Sequence, residues 1–179
     1  MTTVITGRPE STEYAPHYEA YVSKVPAGDV LAFLAGQASV VSATFAGMPG
    51  ARAAHRYADD KWSVREVLGH IIDAERVFAY RALAFARGEG AALPAFDENA
   101  YARSSGHDTV PLEELVEEFE ALRRANLLLF RHLPAESWRK TGVASGKPVS
   151  VRALAFIIAG HAQHHLLILR DRYGVPLAS

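Results

Sequence analysis

Between Ser150 and Gly174 the chain repeats an apolar residue at helical steps. Val151, Leu154, Ile158, His161, His165 and Ile168 follow one another at intervals of three or four. Such a stripe faces a core when the segment is a helix, and it excludes a strand, whose period is two. Ser150 stands where an N-cap belongs, and Gly174 and Pro176 stop the pattern. Three further segments carry the same signature. One follows Pro26, a good first-turn residue, and runs through Val30, Leu31, Leu34, Ala38 and Val41 to Gly47-Met48-Pro49-Gly50. The second opens on Ser63 and Glu66, a capping box, and runs through Val67, Leu68, Ile71, Ile72 and Phe78 to Arg87-Gly88. The third starts at Thr109-Val110-Pro111 and ends near His132, acidic first (Glu113, Glu114, Glu117, Glu118) and basic later (Arg123, Arg124, Arg131), as the helix dipole favours. A shorter helix is predicted from Ala15 to Ser23, after a polar arm over residues 1–13. The connections 48–62, 89–111 and the stretch holding Trp138 and Gly142 to Gly146 read as loops, with no strand alternation in any of them. Four amphipathic helices predict an all-α four-helix bundle, one domain spanning residues 1–179.

Composition narrows the function. A formal net charge of −1 gives no basic excess for nucleic acid. There is no cysteine, so a thiolate nucleophile, a disulfide and a cysteine-type zinc site are all excluded, and any thiol must come from outside. The first ten residues lack a basic region followed by an apolar run, and the longest apolar stretch, Ala153 to Gly160, is far short of the ~20 residues that span a bilayer. These features predict a cytoplasmic protein with no membrane partner.

The eight histidines are the compositional feature that asks for an explanation. His161 and His165 lie at i, i+4 on the stripe meant for the core, an arrangement that lets two imidazoles chelate one ion. Burying two such groups without partners is costly, and a metal ion relieves that cost. His70 sits beside Val67, Ala74 and Val77 on the apolar face of the second helix and supplies a third imidazole from a facing element. Gly69 and Gly160 each precede one of these histidines; glycine costs ~1 kcal/mol inside a helix, which points to close approach at both places. His164 is an alternative ligand or a hydrogen-bonding support. His17, His55, His107 and His132 have no partner spacing and read as surface or capping residues. Asp73 and Glu75 could orient a ligand or act as a base but read first as solvated helix charges. Arg76 and Arg81 could hold an anionic substrate group or pair with neighbouring acids. The zincin motif, the Glu-x-x-His repeat of di-iron bundles, the nucleophile elbow and the glycine-rich phosphate loop are absent from the sequence.

The segment Lys61-Trp62-Ser63-Val64-Arg65-Glu66-Val67-Leu68-Gly69-His70-Ile71-Ile72-Asp73-Ala74-Glu75-Arg76 resembles the first metal motif of the DinB-like superfamily, and Gly160-His161-Ala162-Gln163-His164-His165 resembles the second. Phe96-Asp97-Glu98-Asn99-Ala100-Tyr101 is similar to the acidic-aromatic loop of its YfiT-like branch of metal-dependent hydrolases. The resemblance covers residues 25 to 173 and implies an up-down-down-up four-helix bundle, often a homodimer. It also implies zinc or nickel on His70, His161 and His165, with relatives that include S-transferases using a low-molecular-weight thiol of the bacillithiol or mycothiol type.

Three protein ligands leave a coordination position open, as catalytic sites do. A thiol brought to that position is the first expectation, with S-transfer to an electrophile as the reaction. Hydrolysis by activated water is the alternative, and a structural metal with a non-enzymatic role is the third. Histidine must be neutral to ligate, so metal release is expected below about pH 6.

Overall fold

The computed structural model describes residues 7–178. Residues 1–6 of the expected polar arm lie outside the described part. Its remainder forms a 3-10 turn at Ser11–Glu13, where Glu13 accepts from Ser150 Oγ and pairs with Arg152. The short helix appears as a 3-10 turn at Pro16–Tyr18 running into α1 (Glu19–Val22). Then come α2 (Val30–Phe45), α3 (Gly50–Ala53) and α4 (Val64–Arg87). They are followed by α5 (Glu98–Ser105), α6 (Leu112–Arg131), the strands β1 (Thr141–Ala144) and β2 (Lys147–Ser150), and α7 (Val151–Tyr173).

Local chemistry sets the boundaries. Ser63 accepts from the Glu66 amide while the Glu66 carboxylate accepts from the Ser63 amide, and Gly88 closes α4 in the left-handed conformation. Ser150 caps α7 through the Ala153 amide, and Gly174 ends it. The start of α2 differs from the expectation. Asp29, not Pro26, opens the helix, because its carboxylate takes the Leu31 and Ala32 amides.

Two hydrophobic clusters fix the topology. One holds Val30, Leu31 and Leu34 of α2, Ala74 to Ala86 of α4, Phe130 of α6 and Val151 to Ala159 of α7. The other holds Val41 and Phe45, then Val64 to Ile72, then Leu112, Leu115 and Phe119, then Ala162 to Tyr173. The start of α2 therefore shares an end of the bundle with the start of α7 and with the ends of α4 and α6. That is the up-down-down-up order. The dominant packing is α4 against α7, the two helices that carry the three histidines of the apolar stripes.

Three connections hold structure that the periodicity did not announce. The stretch 48–62 includes α3. The long connection 89–111 includes α5, which Asp97 caps by accepting from the Asn99 and Ala100 amides. The stretch after Trp138 is an antiparallel hairpin with Ala144 opposite Lys147, contrary to the expectation of no strand. Its two-residue turn, Ser145-Gly146, has positive φ at both positions (53° and 73°), the geometry that joins tightly twisted strands. Leu93 adds a parallel bridge to Ala144. The hairpin sits over the end of α4, where Gly142 leaves room for the Phe85 ring.

Candidate metal centre

His70 lies two turns into α4, and His161 and His165 lie one turn apart on α7. Antiparallel packing of the two helices brings all three rings to one point, with ligand atoms within 4.8 Å of one another. The Nε2 atoms of His70 and His161 are 2.9 Å apart. Nitrogens that share an ion at about 2 Å each lie within about 4 Å of one another, so this pair already stands at chelating distance. The three residues are 4%, 4% and 9% exposed. Among the described residues no carboxylate joins the group.

The surroundings keep the rings neutral. Burial lowers the His70 pKa to about 4, with a smaller push from the neighbouring His164. Burial is also the main cause holding His161 and His165 well below the usual histidine value, and the other imidazoles add to it. Neutral imidazole is the ligating form, so the site is prepared for a cation and costs nothing in deprotonation at neutral pH.

Aromatic side chains frame the site. Trp62 lies 4.7 Å from the His70 ring, Tyr21 5.3 Å from His161 and Phe78 5.8 Å from His161, measured between ring centres. Phe96, which the sequence placed in an acidic-aromatic loop, directly precedes the Asp97 cap of α5 and packs on Phe78 at 6.2 Å. His164 is half-buried against Tyr21 and outside the convergent group. The glycines do allow close approach. A Cβ on Gly160 would stand 2.1 Å from the Tyr21 carbonyl oxygen, so α1 crosses α7 directly beside His161. A Cβ on Gly69 would strike the His107 ring at 2.0 Å. His107 is thus a half-buried packing residue against α4 and not a surface one.

One further expectation is corrected. Glu75 is not solvated: it is 2% exposed, ion-paired with Arg123 at 2.8 Å and bonded to Asn126. The spacing of Glu75 on the face of Phe78 and Ala79 carried that signal, since a lone acid on a core face needs a buried cation. The two arginines diverge. Arg76 is exposed and pairs with Asp73 and Glu118. Arg81 is 2% exposed and, among the described residues, donates to neutral acceptors, the Pro94 carbonyl and the Ser145 hydroxyl.

With this geometry in place, comparison with known proteins gives the family. The sequence pattern of the DinB superfamily matches residues 33–169. The chain belongs to the DinB superfamily. Among solved structures it is similar to YfiT from Bacillus subtilis, described as a probable metal-dependent hydrolase with an unusual four-helix bundle topology. That likeness has a TM-score of 0.72 at 16% identity and covers 98% of each chain, so it establishes the fold. No curated protein matches the sequence. No helix among the described residues is long and apolar enough to cross a membrane.

Proposed function

We propose that this DinB-superfamily protein is a metal-dependent enzyme whose divalent ion, zinc or nickel, is held by His70, His161 and His165. The observation that carries the reading is the convergence of three buried, neutral imidazoles with no fourth protein donor among the described residues. A structural zinc site is closed by four protein ligands, whereas three leave a place for a reactant. A divalent ion there supplies Lewis acidity that holds an incoming sulfhydryl or water as its anion near neutral pH.

Transfer of a low-molecular-weight thiol fits the site better than hydrolysis does. A sulfhydryl needs little help to ionise, and the fully buried carboxylate near the site, Glu75, is committed to Arg123 and Asn126. The half-buried aromatic rim of Tyr21, Trp62 and Phe96 suits an uncharged electrophile and limits competing water. In the reaction sulfur bonds to the electrophilic carbon, the leaving group departs with its bonding pair, and the sulfhydryl proton passes to solvent. Hydrolysis is the second reading. The description given to YfiT favours it, and so does Asp73, a half-buried carboxyl one turn from His70 whose pKa burial raises toward that of a useful base.

Metal analysis of the purified protein beside His161→Ala tests the centre. About one divalent ion per chain in the first and its loss in the second are expected; equal metal content in both would reject the assignment. Turnover then separates the reactions. Conjugation of a thiol to an electrophile only with metal present supports transfer, ester or amide cleavage without added thiol supports hydrolysis, and metal-dependent stability with neither activity leaves the ion a structural role.

A further inference from the structure

Arg81 carries a buried charge that nothing among the described residues neutralises. The other deeply buried arginine, Arg123, has Glu75. Among the described residues no carboxylate lies within ion-pair distance of Arg81. Its Nη2 donates to the Pro94 carbonyl at 2.8 Å and to Ser145 Oγ at 3.1 Å, and the Tyr18 hydroxyl lies beside it. The Phe78 and Phe96 rings each sit 5.9 Å from its guanidinium carbon. These contacts orient the guanidinium and shield it from water, yet they leave a unit charge without its opposite. Buried charges are paired as a rule, so a missing counter-ion points to a ligand.

The space beside the guanidinium fits that ligand. Arg81 lines a pocket of about 270 Å³ with Arg76, Val77, Tyr80, Phe96 and Tyr101. Its wall is mostly apolar; Arg81 is buried in it, whereas Arg76 is exposed. Phe78, a buried ring, packs on both groups, 5.9 Å from the Arg81 guanidinium carbon and 5.8 Å from the His161 ring, and none of the three histidines lines the pocket.

We propose that Arg81 binds the carboxylate of a small apolar acid in this pocket. With Nη2 committed to Pro94 and Ser145, Nη1 and Nε remain to donate to a carboxylate, and desolvation by Phe78 and Phe96 strengthens that bond. Arg76, already paired with Asp73 and Glu118, has no such role.

The test titrates zinc-loaded protein with 3-phenylpropionate and with its uncharged amide, by calorimetry and by the ¹⁵N resonance of Arg81 Nε. The acid is expected to bind at least tenfold more tightly than the amide and to shift the Arg81 resonance, which the amide leaves in place. In Arg81→Gln the preference for the acid disappears while the zinc content stays at the wild-type level. Arg81→Lys, which keeps the charge without the planar array of donors, retains part of it. Equal binding of acid and amide by the wild type, or an acid preference that survives in Arg81→Gln, overturns the proposal; the latter places the carboxylate on the metal. The resonance shift keeps the result decisive if Arg81→Gln does not fold. A wild type that takes up no zinc but keeps the Arg81-dependent preference removes the metal reading and leaves the anion pocket standing.

Discussion

At the scale of single residues, the three imidazoles set the response to acid. The His70 pKa is about 4 in the folded chain, against about 6.5 when unfolded. Because the folded value is depressed, the unfolded chain binds more protons between these limits, and stability is lost as pH falls through that window. The full contribution is present above about pH 6.5. His70 alone accounts for about 3 kcal/mol across the window, and His161 and His165 act in the same direction. Metal-free protein should therefore melt at progressively lower temperature from pH 7 to 4.5, and His70→Leu should flatten that slope. An unchanged slope in the variant would show that His70 is not the buried neutral group described. Protons compete with metal only once they can bind the rings, so metal release is expected nearer pH 4 to 5 than at the pH 6 that an ordinary histidine implies. The stripe of His161 and His165 was legible because a helical period exposes polar residues on a core face. The partners of Arg81 and Glu75 were not, because they come from α6, the loop before α5 and the hairpin turn, and periodicity within one helix carries no information on what faces it.

At the scale of elements, glycines separate two kinds of crossing. Gly160 meets backbone: the Tyr21 carbonyl would stand 2.1 Å from an added methyl. Gly69 meets a side chain, the ring of His107, on a 3-10 turn. Gly160→Ala gains ~1 kcal/mol of helix propensity but must displace α1 from α7, and overpacking of this kind costs about 1 to 3 kcal/mol. The expected result is a lower melting temperature together with weaker metal binding, since His161 is the next residue. Gly69→Ala should be much nearer neutral. Equal effects of the two substitutions in thermal melts would mean that α1 is not held against α7 as described. The four long helices were readable from caps and period, with errors of a few residues at the start of α2. The short elements were not. The β1–β2 hairpin spans four residues a side and has its turn signal in Ser145-Gly146, a dipeptide equally common in loops. Helix α5 has only eight residues, too few for a period to show, so its one readable mark was the Asp97 cap.

At the scale of the molecule, one buried polar node ties the bundle together. Arg123 of α6 binds Glu75 of α4 through Nε and Nη2, and through Nη1 it reaches the Leu34 carbonyl and the Gln37 amide oxygen of α2. Gln37 in turn donates to the Ala159 carbonyl and to Gln163 of α7, on either side of His161. All four helices thus meet in a single hydrogen-bonded group, and any slip of α4 against α7 would break it. Apolar stripes alone tolerate such slips, because one leucine can stand in for another; a directional node does not. The node is therefore expected to specify alignment more than to add stability. Glu75→Leu strands the Arg123 charge and should cost about 3 to 5 kcal/mol. Adding Arg123→Met removes the stranded charge and should restore most of the melting temperature. Metal affinity should stay below that of the wild type in the double variant, because the register of His70 against His161 is then set by apolar packing alone. Full recovery of both stability and metal affinity would show that packing suffices to align the centre.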